Sequence, residues 1–142
     1  MPNFVEKSLS SRWLWFIARC CVAILFLCSG LAKILDVEGS FQEMQSAGLE
    51  PAWFFNYASA FILLASTYCI LFNQQIWLAS LGLSIFLILT IAIVHTFWSM
   101  AGLEAKIALY FALEHVAVIG GLISLAIADH FRQKLHLIGA IQ

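Results

Sequence analysis

Four apolar runs set the terms for this chain. They cover about residues 13–35, 52–72, 76–99 and 105–128, and each is more than twenty residues long. A helix rises about 1.5 Å per residue, so each run can cross a hydrocarbon core of roughly 30 Å as a single helix. Lipid offers no partner to a free backbone N–H or C=O, and a helix satisfies these groups within its own segment. The expected fold class is therefore all-α, a polytopic membrane protein built as a four-transmembrane-helix bundle. Composition agrees, with 63% hydrophobic residues, 11% charged residues and a mean hydropathy of +0.95. The length of 142 residues leaves room for one domain. A net charge of −1 gives none of the clustered basic surface that nucleic-acid binding needs, so the expected partner is the lipid bilayer. The first run continues past signal-peptide length and contains Arg19, so no cleavable signal peptide is expected.

The connections order the spans. Residues 73–75 join spans two and three, which makes them an antiparallel hairpin. The longest connection, 36–51, has an amphipathic rhythm through Phe41, Met44, Gln45 and Gly48, and predicts a short interfacial helix ended by Gly48 and Pro51. Residues 99–106, with Gly102, Glu104 and Lys106, read as a hinge between spans three and four. Lys7 and Arg12 precede span one, and Arg132 and Lys134 follow span four, whereas the first connection carries Asp36, Glu38, Glu43 and Glu50. Basic residues favour the cytoplasmic side, so both termini are expected there, with the His95 end of span three facing outward.

Ionisable side chains inside a span are costly unless they face protein or water. Arg19 and Lys33 lie fourteen residues apart, on one face of span one with Ala23, Phe26 and Gly30 between them. Glycine in such a row permits close helix approach. Span two carries a polar row of Asn56, Ser59, Ser66 and Asn73, suited to hydrogen bonds between helices. The stretch 95–115 holds His95 and Trp98 at the end of span three, and Phe111, Glu114 and His115 inside span four. Glu114 lies in line with Ala117, Gly121, Ser124 and Ala128, so it is expected to point into a tight helix interface and to meet a basic group, Lys33 or His95 ahead of Arg19. His95, Glu114 and His115 are the candidates for proton chemistry.

Other constellations fit poorly. Cys20, Cys21, Cys28 and Cys69 contain no C-x-x-C pair and read as small apolar residues. A di-iron carboxylate bundle needs Glu-x-x-His motifs on two helices, whereas Glu114 and His115 are adjacent, so no metal site is expected. His95 and His115 permit a bis-histidine haem but differ in estimated depth by about 8 Å, which does not favour one.

The run from Arg19 to Lys33, RCCVAILFLCSGLAK, is similar to the first helix of DoxX-family membrane proteins. The AGLEP segment at 47–51 resembles that family's turn before helix two, HTFW at 95–98 its histidine–aromatic–tryptophan element, and VIGGL at 118–122 its final helix. The resemblance covers about residues 12–128. It implies a four-helix bundle of the bacterial inner membrane, in some members a subunit of a redox complex that passes electrons to quinone. The chain departs from the pattern at Leu63, where many members carry an acid, and at Glu114–His115, where they carry Lys-Asn. These departures read as a relocated charge pair.

Together these observations predict a polar pocket in the outward half, lined by Lys33, His95, Trp98, Phe111, Glu114 and His115. Two functions are open. In one, the chain is a redox-linked subunit whose pocket takes a quinone. In the other, it is a non-catalytic assembly subunit of a larger membrane or redox complex, its polar residues serving packing and partner recognition.

Overall fold

The computed structural model describes residues 3–137 and 139. It is 87% helical, with no strand among the described residues. The helices are α1 (Asn3–Leu9), α2 (Arg12–Leu35), α3 (Val37–Ser46), α4 (Ala52–Leu71), α5 (Ile76–Ile93) and α6 (Gly102–Leu137), with one 3-10 turn at Phe97–Ser99. Four of these helical segments, including the whole stretch from Ile76 to Ser99, are long and apolar enough to cross a membrane.

Local chemistry explains the helix ends. Ser11 caps α2 by accepting from the Trp13 N–H at 3.2 Å. Asp36 closes α2 and opens α3, its Oδ1 accepting from the Gly39 N–H at 3.0 Å. The interfacial helix expected in the first connection is α3, and Gly48 follows it with φ of +73°, a conformation glycine adopts without strain. The hairpin turn between α4 and α5 uses two residues at positive φ, Asn73 at 57° and Gln75 at 47°.

Two boundaries differ from expectation. The break between spans three and four falls at 94–101 instead of 99–106, so Glu104 and Lys106 are helical. Gly102, at φ +64°, starts α6 directly after the break. At the other end α6 runs nine residues past Ala128, because charged side chains end a hydropathy run without ending a helix. At 36 residues α6 is about 54 Å long, well beyond one hydrocarbon core.

Packing runs in series. α2 packs on α4, α4 on α5 and α5 on α6, while α2 and α6 scarcely touch. Phe26, Leu63, Ile70, Ile76, Leu83 and Leu122 form the fully buried centre. Phe61, Ile85, Val116 and Ile123 are among the large apolar side chains left on the outside, as lipid solvates them. The face predicted for span one is the buried face of α2: Arg19, Ala23, Phe26, Gly30 and Lys33. At Gly30 a Cβ would come within 2.8 Å of Leu64, so glycine is what lets α2 and α4 approach here. α3 lies over the N-terminal half of α4, with Met44 buried and Phe41 edge-on to Tyr57 at 6.0 Å.

Candidate functional site between the end of α5 and the start of α6

α5 ends in a wide turn in which the Val94 and His95 N–H groups both reach the Thr90 carbonyl, at 2.8 and 3.1 Å. This turn swings the His95 side chain toward α6. Its ring stacks on Phe111 with centroids 5.3 Å apart and 23° between planes. It also meets the His115 ring edge-on at 5.0 Å. Phe111 and His115 are one helical turn apart on α6, and so face the same neighbour. The ring nitrogens of His95 have no hydrogen-bond partner among the described residues.

Beside this cluster is a shallow cavity of about 310 Å³, lined by Val94, His95, Met100, Glu104, Ile107, Ala108 and Phe111. Its walls are largely apolar. His95 and Glu104 are its two polar side chains with acid–base chemistry.

The other expected pocket residues lie elsewhere. Lys33 is buried beneath α3, where its Nζ pairs with Glu43 Oε2 at 3.0 Å and its carbonyl accepts from Asn56 Nδ2 at 3.0 Å. Trp98 is 60% exposed in the 3-10 turn, edge-on to Phe97 at 5.0 Å.

Glu114 requires a correction. It is exposed, as are Ala117, Gly121 and Ser124, and Lys33 has its partner in Glu43 instead. α6 buries Ala108, Ala112, Leu122, Leu125 and Asp129 against its neighbours, and Glu114 falls off that face. The row of small residues is real, but no helix of this chain closes over it.

The structure also assembles polar residues at the terminal end of the bundle. Arg19 is 8% exposed, and its Nη1 donates to the Ile70 and Leu71 carbonyls, both at 3.2 Å. These are orphan acceptors at the end of α4. Trp15 donates from Nε1 to Asn73 Oδ1 at 3.0 Å. The guanidiniums of Arg19 and Arg132 lie 5.7 and 5.4 Å from the Trp15 ring centroid. Asp129 is buried and accepts from Gln133 at 2.8 Å. Trp15 and Arg19 are four residues apart, a spacing that could have flagged their contact. Asp129 lay just past the expected end of span four.

A family model described as DoxX matches residues 14–96, more than half of the chain. The chain belongs to the DoxX family. No curated protein and no solved structure matches it. In this DoxX protein the match takes in α2 to α5 and ends just past His95. Phe111, Glu114, His115 and the whole terminal cluster on α6 lie outside it. The VIGGL segment at 118–122, which resembles the family's final helix, is likewise outside the matched stretch.

Proposed function

We propose that this DoxX protein is a redox-linked membrane subunit that seats a quinone ring in the cavity between the ends of α5 and α6. The observation that carries the reading is His95, which lines that cavity with its ring nitrogens unengaged. A quinone, when bound, supplies exchange of two electrons and two protons. The residues present suit such a ring: Val94, Met100, Ile107 and Ala108 give apolar walls, and the cavity volume falls at the low end of the usual range for small-molecule sites.

The division of labour follows from the contacts. Phe111 holds the His95 ring plane by stacking, and the His115 ring packs edge-on against it. His95 is left to offer a proton to a ring oxygen. A neutral imidazole has one nitrogen that donates and one that accepts, so it can both give and take a proton. Glu104 lies at the cavity wall.

The same reading puts the protein in a bacterial inner membrane with both termini in the cytoplasm. Lys7, Arg12, Arg132 and Lys134 lie on the terminal side, and Asp36, Glu38, Glu43 and Glu50 on the other. The test is extraction and quantification of quinone from protein purified in mild detergent. Wild type is expected to carry quinone, and His95→Ala to lose it while remaining folded. Quinone absent from wild type, or retained when His95 and His115 are both replaced by alanine, overturns the reading.

One observation favours assembly into a larger complex. A carboxyl group exposed inside a spanning helix, beside exposed Ala117 and Gly121, is better matched by a partner helix than by lipid. Recovery of one stoichiometric partner, lost in Glu114→Leu, would support that alternative.

A further inference from the structure

Because α2 and α6 scarcely touch, a trough of about 510 Å³ remains between them in the terminal half of the bundle. Leu14, Ala18 and Val22 of α2 form one wall, and Gly121, Ser124 and Ala128 leave the opposite side shallow. A Cβ built at Gly121 meets nothing within 4 Å, so the space is open there. Toward the chain termini the trough passes Trp15 and Arg132 and opens between Leu9, Ser10 and Leu135.

Arg132 is placed unusually for a helix arginine. Asp129 lies three residues before it, a spacing at which acid and base commonly pair. Here the Asp129 carboxylate accepts from Gln133 instead, and Arg132 turns toward the Trp15 ring. The Arg132 Cζ lies 5.4 Å from the Trp15 ring centroid, within cation–π range. Among the described residues no acceptor engages its N–H groups. Trp15 is itself fixed by Asn73, and Arg19 adds a second positive charge on the same ring.

We propose that this trough is the seat of one anionic phospholipid from the leaflet on the terminal side. One of its acyl chains lies along Ala18, Val22, Ala128 and Gly121, and its phosphate takes the N–H groups of Arg132. The length of the trough suits a lipid tail. From Arg132 to Gly121 is eleven residues, about 16 Å at helical rise. That is close to half of a hydrocarbon core of roughly 30 Å, the depth of one leaflet. Arg19 and Arg132 stand at this end of the trough against the carboxyl of Asp129, and basic pockets between helices at a membrane surface recruit anionic headgroups. The site is independent of the quinone cavity, which lies at the opposite end of the bundle.

The test uses the full chain reconstituted with equal amounts of phosphatidylglycerol and phosphatidylcholine, then released into the gas phase so that retained lipids are counted by mass. Wild type is expected to retain one phosphatidylglycerol, favoured by roughly fivefold, the usual worth of one basic residue near an anionic surface. Arg132→Gln should abolish the preference, and Lys134→Ala, which lies outside the trough, should leave it. Gly121→Leu should lower retention of both lipids, and it decides the matter with Arg132 intact if Arg132→Gln fails to fold. Equal retention of the two lipids by wild type overturns the proposal, as does undiminished retention by Gly121→Leu. Efficient cross-linking of Ala128→Cys to a second copy or to another protein chain would also overturn it.

Discussion

Lys33 and Glu43 form an ion pair at 3.0 Å whose two ends are unequally buried, with side-chain exposures of 10% and 52%. Removing either partner therefore has a different cost. Glu43→Leu strands the Lys33 ammonium beneath α3. Breaking a buried pair this way costs about 3–5 kcal/mol, but Glu43 is half exposed and Lys33 sits near the surface end of α2. A flexible lysine there can reach toward water. The expected destabilisation is thus nearer 2 kcal/mol, about the upper end of the five- to thirtyfold range that one or two kcal/mol represents. Lys33→Met keeps the apolar stem and leaves Glu43 to water, so it should cost about 0–1 kcal/mol, as for exposed pairs. The Asn56 bond to the Lys33 carbonyl survives in both variants, since it uses backbone. The double variant Lys33→Met with Glu43→Leu should therefore be more stable than Glu43→Leu alone. Unfolding of the purified protein in mixed micelles, followed by loss of helical signal, gives the four stabilities. If Lys33→Met proves as damaging as Glu43→Leu, burial does not govern this pair and the reasoning fails.

Two further outcomes are expected. Gly30→Leu should destabilise the α2–α4 contact by about 1–3 kcal/mol, the usual cost of overpacking, because its first added atom already meets Leu64 at 2.8 Å; the same unfolding measurement checks it, and a neutral result would mean the two helices separate freely. Reporter fusions after Gln142 and within α3 should report cytoplasmic and non-cytoplasmic locations respectively, and the opposite pattern would invert the membrane orientation proposed from the charge asymmetry.

The bundle was legible where one helix carries a complete row. Arg19, Ala23, Phe26, Gly30 and Lys33 recur at three- and four-residue steps, and all five are buried. His95, Phe111 and His115 were named as lining of one pocket, and the wide turn that ends α5 brings the three rings together despite the difference of about 8 Å in depth expected from straight spans. Glu114 was not. A line of small residues marks a face that can be approached closely, yet it does not say whether the approaching helix belongs to the same chain. The partner of Lys33 was hidden for another reason. Glu43 was read as a loop charge, and only the folding of α3 back over the bundle brings it within reach. Asp129 and Arg132 were treated as the end of a hydrophobic segment, whereas the α6 backbone continues through them to Leu137.

The polar fasteners of this bundle are distributed in a way that bears on how it is made. Arg19 to Ile70 and Leu71, Trp15 to Asn73, Asn56 to Lys33 and Lys33 to Glu43 all join residues that precede position 74. The second pair of helices is joined by packing, through Leu83, Leu87, Leu122 and Leu125, and by the ring contacts of His95. A chain synthesised from its N-terminus completes every one of those directional bonds once its first two spans have entered the bilayer. The first hairpin thereby has its hydrogen bonds complete before α6 exists, and the later helices dock on it by packing and by the contact of Arg132 with the Trp15 ring.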